Sequence, residues 1–443
     1  MNLLTKLAGM AGMVALLSVP AWGQATDDEH PNTFTVDASI MTRGELRDGG
    51  LRDENGIKND DARFILERTR LGIGFARKWL ELKITAQHSG VWGEKGKGSF
   101  NLSETWAKLR ANNGLFAQLG RQTLAYDDER ILGSNDWAMA ANTHDAIRLG
   151  YEGHGHKIHV IGSYNQKSES TNGGTIYDTK SGAYPHKTLL TAWYHYDFPR
   201  WPLGVSVTFM NVGLQSPDIT DPEVKPETQY QQLLGGYVTF KPRRWSVEVS
   251  YYRQMGKDEF KTPISAWMAA LKADYTPHEK WGLTAGYDYL SGDDNPVVPK
   301  PGSLGMALHT KVKGFNTVYG SHHKFYGAMD FFYLSGFYGG YTPGLQNFYF
   351  GARYAPIHQL SLEAYYHYLA VASKVSEADR SLGNEFEFLA SYSIMKNVKL
   401  SAGYTYMNGT NTLKRLQRYE GNCRLHWAWI MLSINPRIFS IKW

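Results

Sequence analysis

A chain of 443 residues with 42% hydrophobic side chains could hold two or three soluble domains, yet no linker, low-complexity run or composition shift divides it after the first thirty residues. Outside the N-terminus it has no apolar run of about 20 residues, which excludes a bundle of membrane-spanning helices. The formal charge of +5 is too small an excess to indicate a nucleic-acid partner, and a single cysteine, Cys423, excludes an internal disulfide or a cysteine-built metal cage.

Residues 1–23 read as a secretory signal: Lys6 supplies the charged start, Leu7 to Val19 the apolar core, and Ala21, Trp22 and Gly23 a small-x-small cleavage site. No cysteine follows that core, so a lipid anchor there is not indicated. Residues 24–443 are then expected to form one domain.

From Thr33 to the last residue the chain alternates apolar and polar side chains with period two, in stretches of about ten residues. Short links fall at Arg77 to Lys78, Asn112 to Gly114, Gly153 to Gly155, Pro199 to Pro202, Lys241 to Arg243, Thr276 to Glu279, Pro356 to Gln359 and Met395 to Asn397. Between them lie longer polar, glycine-rich stretches at 48–61, 90–100, 125–143, 167–186, 214–227, 256–261, 292–345, 373–382 and 408–422. This short, long, short, long rhythm predicts an all-β protein: a transmembrane antiparallel β-barrel of about 18 strands with short periplasmic turns and long extracellular loops. Its surroundings would be outer-membrane lipid. A soluble secreted β-protein that binds sugar is the bland alternative, because half-buried strands in a sandwich alternate in the same way.

Parity assigns faces. On the second stretch Leu71, Ile73 and Phe75 share one side, so Arg68 and Arg70 share the other. An arginine at the lipid midplane costs about 2–4 kcal/mol, which points both guanidinium groups into the lumen. The same argument turns Glu81 and Lys83, then Glu104, Lys108 and Arg110, then Arg148, inward. Arg121 resists it: Leu115, Ala117 and Leu119 would carry it outward unless a bulge near Gly120 resets the phase, and we place it at the lumen or the extracellular rim. Later strands give a mixed lining, with Glu248, Glu363, His367, Glu385, Glu387 and Lys399 facing in, and the interior is expected to be polar on essentially every strand.

Trp79, Trp245 and Trp281 follow short turns, while Phe75, Tyr196, Phe198, Phe240, Tyr275 and Tyr354 precede them. Together they predict one aromatic belt at headgroup level. Stretch 292–345 greatly exceeds the ~12–15 residues of an ordinary loop and is expected to fold over or into the lumen, with strand segments from Phe325 to Leu334. Stretch 125–143, carrying Asp127, Asp128, Glu129, Arg130, Asp136 and Trp137, is expected at the rim. Phe439, Ile441 and the terminal Trp443 put apolar groups on one face of a closing strand.

His159 and Ser163 lie inward but without a nucleophile's context, and neither an HExxH nor a phosphate-binding glycine loop is present, so no cofactor is expected and an enzyme is the remote alternative. Asp293 and Asp294 form an acidic turn that a Ca²⁺ ion or solvent alone would satisfy.

At Gly120, Arg121, Gln122, then Tyr126 to Arg130, Asp136, Trp137 and Asp145, the sequence resembles the alginate-export family of outer-membrane barrels. Arg68 to Gly72, Tyr289 to Asp293, His323 to Phe332 and Leu382 to Glu387 extend the likeness over most of the chain. The resemblance implies a monomeric barrel of 18 strands whose basic constriction passes an anionic polysaccharide. On that reading Arg68, Arg70, Lys83, Glu104, Lys108, Arg110, Arg121 and Arg148 line the pore. A porin for sugars or small organic anions is the neighbouring possibility, because acidic residues also line later strands. Export or uptake partners at the periplasmic turns are not specified by the sequence.

Overall fold

The computed structural model describes residues 31–48, 61–96, 98–166, 169, 177, 179, 185–215, 227–293, 311–332, 342–375, 378–416 and 423–443. The signal segment lies outside them. Alternation is realised as β1 Thr33–Asp48, β2 Ala62–Arg77, β3 Leu80–Val91, β4 Ser99–Arg110, β5 Leu115–Gln122 and β6 His144–Gly153. The middle of the wall is β7 His156–Tyr164, β8 Thr188–Asp197, β9 Leu203–Leu214, β10 Gln229–Phe240, β11 Trp245–Lys257, β12 Pro263–His278 and β13 Trp281–Leu290. It ends with β14 Leu345–Ile357, β15 Leu360–Ala370, β16 Ser381–Met395, β17 Val398–Gly409, β18 Arg424–Ile434 and β19 Arg437–Lys442.

Each strand pairs antiparallel with its sequence neighbours, and β1 closes the ring by pairing with β2 on one edge and with β18 and β19 on the other. The last two strands form one stave: Asp37 lies opposite Arg437 in the register that sets Ile40 opposite Ile434, and a one-residue shift follows at Val36, which faces Phe439. The interruption falls at Asn435 and Pro436, where proline has no N–H to give the ladder. The result is a closed barrel of 18 staves, the number expected. Closure leaves no unpaired edge, which is the condition for strands to cross lipid.

Burial is inverted relative to a soluble protein. Leu71, Ile73, Ile84, Leu149, Phe350 and Ile430 are exposed on the outer surface, while Arg68, Lys108 and Gln118 are buried inside. The belt is present as well: Trp245 packs on Tyr275 with ring centres 4.5 Å apart, and Trp281 stacks on Tyr354 at 4.3 Å. Tyr196 meets Phe198 at 4.8 Å, and terminal Trp443 meets Phe75 at 6.3 Å.

Two loops fill much of the inside. Residues 123–143, between β5 and β6, do not stay at the rim as expected but fold into the lumen. There they touch β2 through Arg68 and Asp136 and, across the barrel, β13 through Arg130 and Asp288. Charged loop side chains find more partners among inward wall groups than at an open rim, which explains the departure. Residues 311–332 enter beside them. Leu132 and Tyr319 bridge in parallel, Gly133 N–H donates to the Tyr319 carbonyl at 2.9 Å, and Ser321 N–H donates to the Glu129 carbonyl at 2.9 Å.

Two further expectations are corrected. The interior is not polar on every strand: Ile161, Leu189, Met210, Leu233, Met268 and Leu290 face inward and pack with Leu124, Leu132, Phe315 and Phe332 of the inner loops. Once loops occupy the upper lumen, the facing wall belongs to a core rather than to water. Segment 325–332 forms turns and bends rather than strand, after a 3-10 turn at His322–Lys324, and residues 333–334 lie outside the described residues.

Candidate functional site

The basic wall begins on β1, one strand before Arg68 and Arg70. On β1, Arg43 donates to Glu45 at 2.8 Å, Arg47 donates to the second Glu45 oxygen at 2.9 Å, and Trp427 Nε1 donates to Glu45 at 3.0 Å. Period-two alternation with Ile40 and Leu46 on the opposite side was the available signal. Arg43 also covers one face of Trp137 at 4.0 Å, and His323 stacks at 4.1 Å from the same ring.

Arg68 and Arg70 point inward on β2. Arg68 Nη1 donates to the main-chain oxygens of Asp136 and Ala138 at 2.8 Å each, so it anchors the inner loop and is itself buried. Arg70 donates to the Asp136 carboxylate at 2.6 Å and to Gln87 at 2.7 Å. Lys83 pairs with Glu104, and Arg110 with Glu81 at 2.6 Å. Lys108 sits 3.9 Å over the Phe116 ring, and Arg148 donates to Gln118 and to the Tyr126 hydroxyl.

Arg121 is the exception among the pore-lining candidates. β4, β5 and β6 keep unbroken register here, so no bulge resets the phase, and Arg121 follows exposed Leu115 and Leu119 onto the outer face. It forms a two-pronged pair with Asp145, Nε to Oδ1 at 2.8 Å and Nη2 to Oδ2 at 2.9 Å, at the extracellular end of β5. Mutual neutralisation at headgroup level lowers the cost that argued against this placement.

Two water-accessible chambers lie toward the periplasmic ends of the strands, on different arcs of the wall. The first, about 620 Å³, is lined by Arg70, Lys83, Glu81, Glu104, Asp136 and Arg437 among small residues such as Thr35, Ser39 and Gly72. The second, about 710 Å³, lies along β10 to β18 and is lined by Asp128, Lys272, Glu363, Glu387, Lys399 and several aromatic rings. Of the candidates, Arg70, Lys83 and Glu104 come together around the first chamber. Arg68 stands behind it as the loop's anchor.

The inner loop is held electrostatically. Arg130 is buried between Asp128 at 2.9 Å and Asp288 at 2.7 Å, with Phe325 4.1 Å from its guanidinium carbon. Burial works against its charge, but Asp288 and its neighbours outweigh that and hold its pKa above the ordinary value. Burial raises the Asp127 carboxyl, although Ser206 and Trp193 donate to it. Burial also pushes Glu129 upward, yet hydrogen bonds from Ser321 and Ser134 more than offset it and leave the carboxyl below its usual range.

The remaining candidates have local partners. His159 is shared between the Tyr126 hydroxyl at 2.9 Å and Glu152 at 3.1 Å, and Ser163 donates to the Asp145 carbonyl, so the two do not engage each other in these contacts. The Asp293 carboxylate accepts from Lys313 N–H and from the Thr342 hydroxyl, and Asp294 lies outside the described residues. Among the described residues no group of three or more His, Cys, Asp or Glu is placed to hold a metal ion.

A closed barrel with a lipid-compatible exterior, an aromatic belt, charged inner walls and inward-folded loops defines an outer-membrane channel of the porin class. The model of the alginate export family matches residues 88–384, more than half of the chain, and the protein belongs to that family. No curated protein matches the sequence. Among solved structures, the chain is similar to Pseudomonas aeruginosa OccK9 (OpdG), with a TM-score of 0.60, 14% identity, and coverage of 93% of this chain and 98% of that one. It is also similar to Pseudomonas aeruginosa OccK2 (OpdF), solved in complex with glucuronate, at TM-score 0.60 and 12% identity over 92% and 98% of the two chains. A BenF-like porin from Pseudomonas fluorescens Pf-5 gives TM-score 0.60 and 11% identity over 91% and 99%. At these identities the likeness establishes the fold.

Proposed function

We propose that this channel passes uronates and short oligouronates, or organic anions of similar size, across the outer membrane. The observation that carries the reading is the first chamber, where Arg70 and Lys83 face a water-accessible space while paired to Asp136 and Glu104. A guanidinium stays charged at all relevant pH values and engages a carboxylate through parallel hydrogen bonds. Because each cation already has an acidic partner, an arriving carboxylate exchanges with that partner and is bound weakly, as passage requires. The glucuronate complex of OccK2 supports the same class of solute.

Chamber size favours short solutes. A long polyuronate, the cargo suggested by the family's description, would need residues 123–143 to leave the lumen. Single-channel recording in a planar bilayer tests both. A current blocked by trigalacturonate, with block at least fivefold weaker in Arg70→Ala and Lys83→Ala, supports the proposal. A cation-selective current indifferent to trigalacturonate overturns it, and block only by long polyuronate favours the polymer.

A further inference from the structure

The second chamber has a chemistry that an anion site does not need. Two of its aromatic residues lie flat on the wall: a Cβ at Gly351 would overlap the Tyr365 ring, and one at Gly286 would overlap the Tyr349 ring. A ring laid over a glycine of the adjacent strand covers backbone with one face and turns the other toward the lumen. Both rings line the chamber.

Carboxylates stand beside these rings. Glu363 accepts from the Tyr365 hydroxyl at 3.1 Å and from Ser361 at 3.3 Å, and Glu387 lies directly across from Tyr365 on β16. Several of the chamber's cations are already engaged: Arg130 with Asp128 and Asp288, Lys272 with Asp274 at 3.1 Å, and Lys324 with the Asp128 carbonyl at 3.0 Å. Lys241 and Lys399 also line the chamber, so its charge is mixed, and what sets it apart from the first chamber is the pair of flat rings with Glu363 and Glu387 beside them.

We propose that this chamber binds an uncharged pyranose, as a mono- or disaccharide, with its C–H face on Tyr365 and Tyr349 and its hydroxyls donating to Glu363 and Glu387. A pyranose offers one apolar C–H face and a rim of hydroxyls, which matches flat rings bordered by carboxyl oxygens. The volume of about 710 Å³ lies within the ~300–1,000 Å³ usual for small-molecule sites. The inference goes beyond the anion reading, since it uses a different arc of wall and none of its residues.

The test uses the full-length protein folded in detergent, titrated with cellobiose by calorimetry, and the same protein in a bilayer. Wild type is expected to bind cellobiose with millimolar affinity. Tyr365→Ala should weaken binding at least fivefold and Glu363→Gln at least threefold, while trigalacturonate block is unchanged in both. Should Tyr365→Ala lose the heat-modifiable mobility of a folded barrel, Glu363→Gln and Glu387→Gln carry the comparison. No cellobiose binding by folded wild type, or unaltered binding in the folded variants, overturns the site. Cellobiose binding that persists in a channel indifferent to trigalacturonate instead overturns only the anion proposal.

Discussion

Arg68 holds Asp136 by its backbone, not only by its charge: Nη1 lies 2.8 Å from the Asp136 carbonyl oxygen, and a second carbonyl, that of Ala138, lies at the same distance. This lumen-facing guanidinium thus pins the inner loop instead of meeting solute. Arg70, two residues further on the same face, keeps a carboxylate partner that a solute can replace.

Arg68→Ala and Arg70→Ala are therefore expected to differ in kind. Removing Arg68 takes the charged donor from two main-chain carbonyls of the inner loop, hydrogen bonds of about 1.5–3 kcal/mol each. The loop should loosen, with higher and noisier single-channel conductance and faster proteolysis within 123–143. Removing Arg70 should leave conductance close to wild type and reduce anion preference in reversal-potential measurements.

Arg130 and Asp288 form a fully buried pair that ties the same loop to β13. Removing Arg130 leaves the Asp288 carboxylate unmatched, at about 3–5 kcal/mol, whereas removing the Asp288 charge costs less because Asp128 still meets Arg130. Arg130→Ala or Asp288→Asn alone should lower the thermal unfolding midpoint of the detergent-folded barrel. Arg130→Met combined with Asp288→Leu should recover part of the loss.

Acid is expected to loosen residues 311–332, which His186 holds from the stretch before β8 and Glu129 holds from residues 123–143. Burial, with His144 close by, pushes His186 down to about 3, and its ring meets the Tyr319 hydroxyl at 2.9 Å. A folded-state value below the unfolded one contributes stability above pH ~6.5 that is lost as pH falls toward 3. Glu129, also held below its usual range, adds loss of the same sign through the carboxylate range. Asp127, raised by burial, works in the opposite direction and should offset part of it. Protease accessibility of 311–332 should rise on acidification, and His186→Gln should flatten its upper limb. A profile unchanged by that substitution would remove His186 as the cause.

Lipid-facing and lumen-facing positions should separate cleanly in folding assays. Ile84 is exposed on the outer wall of β3, beside Lys83 on the inner. Ile84→Arg is expected to cost about 2–4 kcal/mol of stability in bilayers. Lys83→Met, which faces water, should cost less than about 1 kcal/mol. Urea titration of vesicle-inserted protein measures both, and equal costs would contradict the assigned faces.

The wall was legible because lipid enforces a simple code. Every second residue from Leu71 to Phe75 or from Leu80 to Ala86 must be apolar, and every short turn must return the chain. Arg121 departs from the expected placement because parity within β5 alone shows a lone arginine facing lipid. Its register partner Asp145, 24 residues away, pairs it in two places and is visible only once β5 and β6 are aligned.

Sequence alone determined the barrel, its orientation, the belt and the inward direction of Arg68, Arg70 and Lys83, since these follow from local alternation against a uniform solvent. Only the tertiary structure decided what the lumen contains. Whether residues 123–143 stay at the rim or cross the pore depends on Arg68 meeting Asp136 and Arg130 meeting Asp288, contacts between residues 68 and 158 positions apart. Such contacts exist only after the wall has closed and brought opposite strands to face one another, and period-two patterning carries no record of them.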